Sequence, residues 1–329
     1  MKGRIVMNNS SDLRESIKSK VPSVLATNPR LVMFLVLVVV STVLSRGVFL
    51  SPSNIHNMLR QYSTIGIMAV GQTVVILLAG VDLSQGSMMA LVSMVVAYLN
   101  VNGFGIVLPL VVGLLVGALG GLFSGTIITK GKVPPFIATL AMASICRGLA
   151  TLITQSRPIY GLSKELLVFG RDTIGGIGIQ VIIWASVGLL GIFMITRTVY
   201  GRGVYAVGGN EKSAHLSGIN VQKVKLLGYA FSGICAAIAA IVITSRMDMG
   251  GPYVNANDNV QSIASVVIGG TSFAGGRGSV SGTILGTVII AMINNLMNLM
   301  LINPYIQQGI ISAIIVVTVT LNQRKARTE

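Results

Sequence analysis

Apolar residues run without alternation from Leu31 to Leu44 and from Ile310 to Leu321, and similar runs recur along the chain. Continuous runs select helices, because a barrel strand would alternate its lipid-facing and inward-facing residues. The choice is this narrow because hydrocarbon offers backbone N–H and C=O groups no hydrogen-bond partner. With 52% hydrophobic and only 10% charged residues in 329 positions, the chain cannot supply a water-soluble surface. The expected fold class is all-α, a polytopic integral membrane protein with about ten transmembrane helices, some short or broken.

Spans are predicted over 31–49, 62–78, 88–99, 106–128, 136–153, 181–195, 225–243, 261–270, 283–301 and 306–321. The basic residues behind the net charge of +15 gather between spans and at both ends. That is the positive-inside pattern, which places Lys130, the stretch near residue 200, Arg277 and both termini in the cytoplasm. Anionic lipid headgroups, not nucleic acid, are the expected partners of this charge. The organisation read from it is a cytoplasmic segment at 1–30, a transmembrane unit at 31–322 and a cytoplasmic tail at 323–329. Leu13, Ile17 and Val21 fall at helical spacing, so the first segment is either a helix on the membrane surface or a solvated tail. The first apolar run lacks a small-residue cleavage site and is expected to stay as a span.

Several residues interrupt the apolar pattern. Gly80, Asp82, Ser84 and Gly86 break the stretch between the second and third spans, and such breaks are tolerated only inside protein or along a watery path. Asp82 either shapes a broken helix or caps the next one at the interface; Ser84 and Gln85 belong to the same break. Arg147 either pairs with a carboxylate or snorkels outward. Asn294, Asn295 and Asn298 put amides on successive turns of one span, to bond a neighbouring helix or to face a pathway. Gly113, Gly117, Gly121 and Gly125 recur every fourth residue, which makes a ridge suited to close packing inside the protein. Trp184 is expected near an interface, and Cys146 and Cys235, set apart in apolar runs, as packing residues. A faint echo links VVILLAGVDLSQGSMMALV and SVVIGGTSFAGGRGSVSGTILG, each an apolar run broken by a polar glycine turn.

The polar loop at 197–224 is longer than a connection needs, which marks it as functional. Asn210 can cap a short amphipathic helix over 211–217, Glu211 favours its positive end and Gly218 can terminate it. No GxxxxGK[ST] loop, HExxH pair or serine elbow occurs, so a catalytic site is not expected and any ATP would bind another chain.

These residues also carry a resemblance. GRGVYAVGGNEKSAHLSGIN resembles the cytoplasmic motif of permease subunits in ribose-type ABC sugar importers, where a Gly-Gly-Asn-Glu segment enters a coupling helix. MAVGQTVVILLAGVDLSQGS and VVIGGTSFAGGRGSVSGTILG are similar to two further motifs of that family, in the same order. The resemblance implies a permease homodimer, an ATPase with two nucleotide-binding modules holding ATP and Mg, and an extracytoplasmic sugar-binding protein. No cofactor is expected on this chain. It implies ATPase-coupling roles for Gly208, Gly209, Asn210, Glu211, Lys212, His215, Leu216 and Gly218. Pathway or broken-helix roles fall to Asp82, Ser84, Gln85, Asn259, Gln261, Thr271, Ser272, Asn294, Asn295 and Asn298. Asn259 and Gln261 stand where the family often has carboxylates, so contacts that depend on such charges would be absent. An ion-coupled secondary sugar transporter is the rival reading, with Asp82 and Arg147 as its few ionisable candidates.

Overall fold

The computed structural model describes residues 29–253 and 258–328, so the choice between a surface helix and a solvated tail near Leu13 lies outside the described residues. Among the described residues the chain is all-α apart from one small antiparallel hairpin at Thr173–Ile174 and Ile177–Gly178. Its helices are α1 (Pro29–Leu44), α2 (Pro52–Leu77), α3 (Gln85–Val101), α4 (Val107–Thr129), α5 (Pro135–Thr154), α6 (Lys164–Arg171), α7 (Ile179–Arg197), α8 (Val199–Gly209), α9 (Glu211–Leu216), α10 (Val221–Met247), α11 (Asp258–Ile268), α12 (Val280–Leu299) and α13 (Pro304–Thr328).

Among the described residues, α4, α5, α7, α10 and α12 are long and apolar enough to cross a membrane, and α1 and α3 are shorter apolar helices. The chain is thus a multi-pass helical protein, but the structure does not establish the full set of about ten spans. The expected span at 261–270 is an 11-residue helix, α11, which at 1.5 Å per residue covers only about 16 Å. Its polar flanks stop it short.

Burial separates the centre from the periphery. α2 is buried from Tyr62 to Leu77, and α10 along most of its C-terminal two thirds. By contrast Val39 and Val43 on α1, Leu119 on α4, Leu152 on α5 and Leu189 on α7 are all exposed apolar side chains. An apolar rim around a packed centre is the arrangement expected where lipid replaces water as the surrounding solvent.

The glycine ridge is spent on internal packing. A Cβ on Gly121 would collide with the Tyr229 carbonyl, and one on Gly117 would lie 2.6 Å from the Ala237 Cβ, so α4 lies directly against the backbone of α10. Gly113 faces Val96 of α3 instead. Replacing Gly121 with leucine is expected to force these helices apart and cost roughly 1–3 kcal/mol, as overpacking does. A lowered midpoint of thermal unfolding in detergent checks this, and an unchanged midpoint would show that the two backbones are not held so close.

Trp184 packs inside the protein. It is 6% exposed and its ring fills the space beside Gly66, so it is a core residue joining α7 to α2. Arg147 has no carboxylate partner among the described residues. Its Nη2 donates to Ser87 Oγ at 3.3 Å and its guanidinium stands 5.9 Å from the Tyr253 ring centroid. Both cysteines are buried and free, with Cys146 Sγ packed 3.9 Å from Met88 Sδ.

The polar region 154–180 is folded onto the helices. Gly170 N–H donates to Ser245 Oγ at 2.7 Å, Arg60 Nη2 donates to the Arg171 carbonyl at 3.1 Å, and Arg171 pairs with Asp248 at 3.1 Å. These contacts tie α6 to α2 and to the end of α10.

Candidate functional site

Three groups of residues build the site. The first is the loop at 197–224, which is almost wholly helical. Thr198 caps α8 by accepting the Gly201 N–H at 3.1 Å, and Asn210 caps α9 by accepting the Ser213 N–H at 2.9 Å. Gly218, at φ 82°, ends α9 with its N–H on the His215 carbonyl at 3.0 Å. Glu211 Oε2 accepts from Lys225 Nζ at 2.6 Å, pinning the start of α9 to α10. Lys212, His215 and Leu216 remain exposed. A cleft of about 1080 Å³ separates α9 from the 128–135 stretch, with Glu211, Lys212, His215, Lys132, Pro134 and Pro135 among its walls.

α8 was not legible in advance. Gly201, Val204 and Gly208, with Gly203 and Val207, form its buried face, and three glycines there conceal a helical stripe from a search for large apolar residues. The spacing of Val204 and Val207 was the remaining signal.

The second group is the meeting of two chain breaks. After α2 the chain leaves the helix at Leu78, and between α11 and α12 it turns through 269–279. These are the two echoed motifs, and they touch. Gly276 N–H donates to the Leu77 carbonyl at 2.9 Å, and a Cβ on Gly276 would lie 2.7 Å from Gly209 Cα. Gly208 closes the junction, since any Cβ there would overlap the Leu77 carbonyl oxygen. The tail of α8 is therefore in backbone contact with both breaks at once. Gly209, by contrast, has open space where its Cβ would be. Thr271 and Ser272 shape the second break: Thr271 is buried, and Ser272 N–H donates to the Arg277 carbonyl at 2.8 Å.

The third group is polar and buried. The segment from Leu78 to Ser84 folds back along α2, so that Gln85 Nε2 reaches the Met68 carbonyl at 3.1 Å. Asp82, 2% exposed, accepts from Ser84 N–H at 2.9 Å and Ser84 Oγ at 2.6 Å on one oxygen, and from Ser232 Oγ at 2.7 Å on the other. It is buried within the break and ties that segment to α10 through Ser232. Asn259 spans the same break, accepting Gly86 N–H at 2.5 Å and donating to the Leu83 carbonyl at 2.7 Å. Ser262 Oγ extends the network to Gln85 Oε1 at 3.4 Å. These bonds satisfy irregular backbone away from water, which is the condition for holding it there.

The remaining amides divide. Asn295 pairs reciprocally with Asn54 at 2.8 and 2.9 Å, joining α12 to α2. Gln261, Asn294 and Asn298 instead share a separate cavity with Gln307 of α13. None of these three joins the Asp82 network. Among the described residues no cluster of His, Cys, Asp or Glu is arranged to hold a metal ion.

Comparison with known proteins agrees with this architecture. Residues 54–319 match the family model described as "Branched-chain amino acid transport system / permease component". The chain is 39% identical to the ribose import permease protein RbsC of Bacillus subtilis (strain 168) over 293 residues, 88% of this chain and 91% of that protein. It is 36% identical to the D-allose transport system permease protein AlsC of Escherichia coli (strain K12), covering 85% of this chain and 86% of the relative. The xylose transport system permease protein XylH of the same strain is 33% identical, with 85% and 87% covered. No solved structure matches. Match and relatives span nearly all of the described helices, and the chain belongs to this family of transport-system permease components.

Proposed function

We propose that the chain is the transmembrane permease subunit of an ATP-driven ABC importer for a monosaccharide such as ribose or a related sugar. The observation that carries the mechanism is the backbone contact of Gly208 and Gly209 with both chain breaks. The relatives named for ribose, allose and xylose support the substrate class.

In this reading the permease works as a homodimer in the bacterial inner membrane. Both termini and the 197–224 loop face the cytoplasm, and about ten helical elements traverse or re-enter the bilayer. An ATPase with two nucleotide-binding modules, which holds ATP and Mg, docks on α9. Leu216, 79% exposed, and the cleft beside His215 and Pro135 suit it to receive a partner's side chains. Closure of the ATPase modules pushes α9. The Glu211–Lys225 ion pair and the Asn210 cap keep α9 in register with α8 and α10, so the push reaches Leu77 and Gly276 through backbone. Packed backbone transmits displacement because it has little room to compress. The two breaks then shift the helices that follow them, opening the path inward to sugar delivered by an extracytoplasmic binding protein.

Vesicle uptake tests the reading. Sugar accumulation is expected only when the ATPase, ATP and the binding protein are all supplied. Uptake by the permease alone under a proton or sodium gradient would sink it in favour of a secondary transporter.

A further inference from the structure

The cavity bounded by α2, α11, α12 and α13 has a volume of about 360 Å³, within the ~300–1,000 Å³ range of small-molecule sites. Gln61, Tyr62, Gln261, Asn294, Asn298 and Gln307 line it, over a floor that includes Ile311. Its lining contains amides, a phenol, a serine hydroxyl and apolar carbons, and no Asp, Glu, Lys, Arg or His among the described residues.

Amides both donate and accept, so together they match hydroxyl groups that do the same. An ion or a zwitterion would need a counter-charge that this lining does not supply. Two observations argue that the polar lining is more than glue between helices. Gln261 Oε1 is buried without a hydrogen-bond partner, a state that costs about 1–3 kcal/mol unless something fills it. The rotation of α12 also separates the tasks: Asn295 bonds α2 through Asn54, whereas Asn294 and Asn298, one turn apart, face the cavity. Gln307 holds its place there by donating to Asn298 Oδ1 at 2.9 Å and to the Ile302 carbonyl at 2.8 Å.

We propose that this cavity is a subsite for an uncharged polyhydroxyl ligand of monosaccharide size, held within one protomer by Gln261, Asn298 and Gln307. The assignment rests on the importer reading for its substrate class, while the site itself rests on the lining. The amides take hydroxyls in the plane of the sugar, and Ile311 meets its C–H face. Weak, uncharged contacts suit a transit site, because a ligand held tightly would not leave.

Saturation-transfer NMR on the full-length permease in lipid nanodiscs, with ribose as the probe and valine as the competitor, tests the proposal. Wild type is expected to transfer saturation to ribose, and valine not to reduce it. Gln261→Leu and Asn298→Leu should each lower the ribose signal at least fivefold. Gln261→Asn, which keeps the amide, should retain part of it if Gln261→Leu proves unstable. The paired change Asn54→Leu with Asn295→Leu, outside the cavity, should leave the signal unchanged. No ribose signal in wild type, equal signals in wild type and the cavity variants, or displacement by valine would each overturn the subsite. Loss of the subsite with ATP-dependent uptake intact would leave the importer reading standing. Uptake driven by an ion gradient with the ribose signal intact would do the reverse.

Discussion

Replacing Gly208 with valine is expected to reduce ATP-driven uptake by more than tenfold while the protein still inserts in the membrane and still binds its ATPase. A Cβ at this position overlaps the Leu77 carbonyl and approaches Gly276 N at 2.7 Å, so both chain breaks must move away from α8. The Gly276 N–H to Leu77 carbonyl bond, 2.9 Å long, is then stretched or lost. Overpacking of this kind costs about 1–3 kcal/mol, which a large helical bundle survives but a mechanical contact does not. By the resemblance Gly209 and Glu211 share the ATPase-coupling role of Gly208, so bulk at either is expected to uncouple transport. The structure moves that expectation to Gly208, because the space beside the Gly209 Cβ direction is empty. Gly209→Ala is accordingly expected to transport within about twofold of wild type, helped by alanine's better helix propensity. Parallel measurement of ATPase rate and uptake in proteoliposomes checks both variants. Equal uptake by Gly208→Val and wild type would mean that α8 does not drive the breaks.

The second large effect is expected at Asp82. Its two oxygens accept three hydrogen bonds in a buried setting, from Ser84 N–H, Ser84 Oγ and Ser232 Oγ. Asp82→Ala removes the acceptors and leaves those buried donors without partners, at roughly 1–3 kcal/mol. Asp82→Asn keeps an acceptor oxygen and the side-chain shape, and should cost about 1 kcal/mol. The order of stability is therefore wild type, then Asn, then Ala, read as midpoints of thermal unfolding in detergent. An alanine variant as stable as wild type would mean that the break is held by Asn259 and Gln85 without the carboxylate. Because the Leu78 to Ser84 segment turns back along α2, its loss should also disorder the start of α3.

The long apolar runs were legible because their constraint is local: each residue of α4 or α10 satisfies its backbone within its own helix, whatever surrounds it. Capping was legible for the same reason, and Asn210 and Gly218 bound α9 within one residue of the expected stretch. α8 was missed because its buried face is largely glycine, whose value lies in what approaches it and not in any intrinsic preference. The packing partner of Trp184 was hidden likewise, since ring amphipathicity is a property of the residue and the space beside Gly66 is a property of the fold.

The amide positions show the division most clearly. Asn294, Asn295 and Asn298 stood out in the sequence as polar groups in an apolar span, with helix bonding and pathway lining both open. Only the rotation of α12 against α2 and α13 assigns Asn295 to the first and the other two to the cavity. The sequence by itself determined that the chain is helical and membrane-embedded, where its breaks fall, and which loop is too long to be a mere connection. Periodicity, capping and charge act over a few residues, so one sequence contains them. Tertiary structure alone decided that two breaks about 200 residues apart meet at Leu77 and Gly276, and that Gly208 sits on the junction. Such contacts depend on how closely backbones approach across the fold, and a glycine names that approach only once its neighbour is in place.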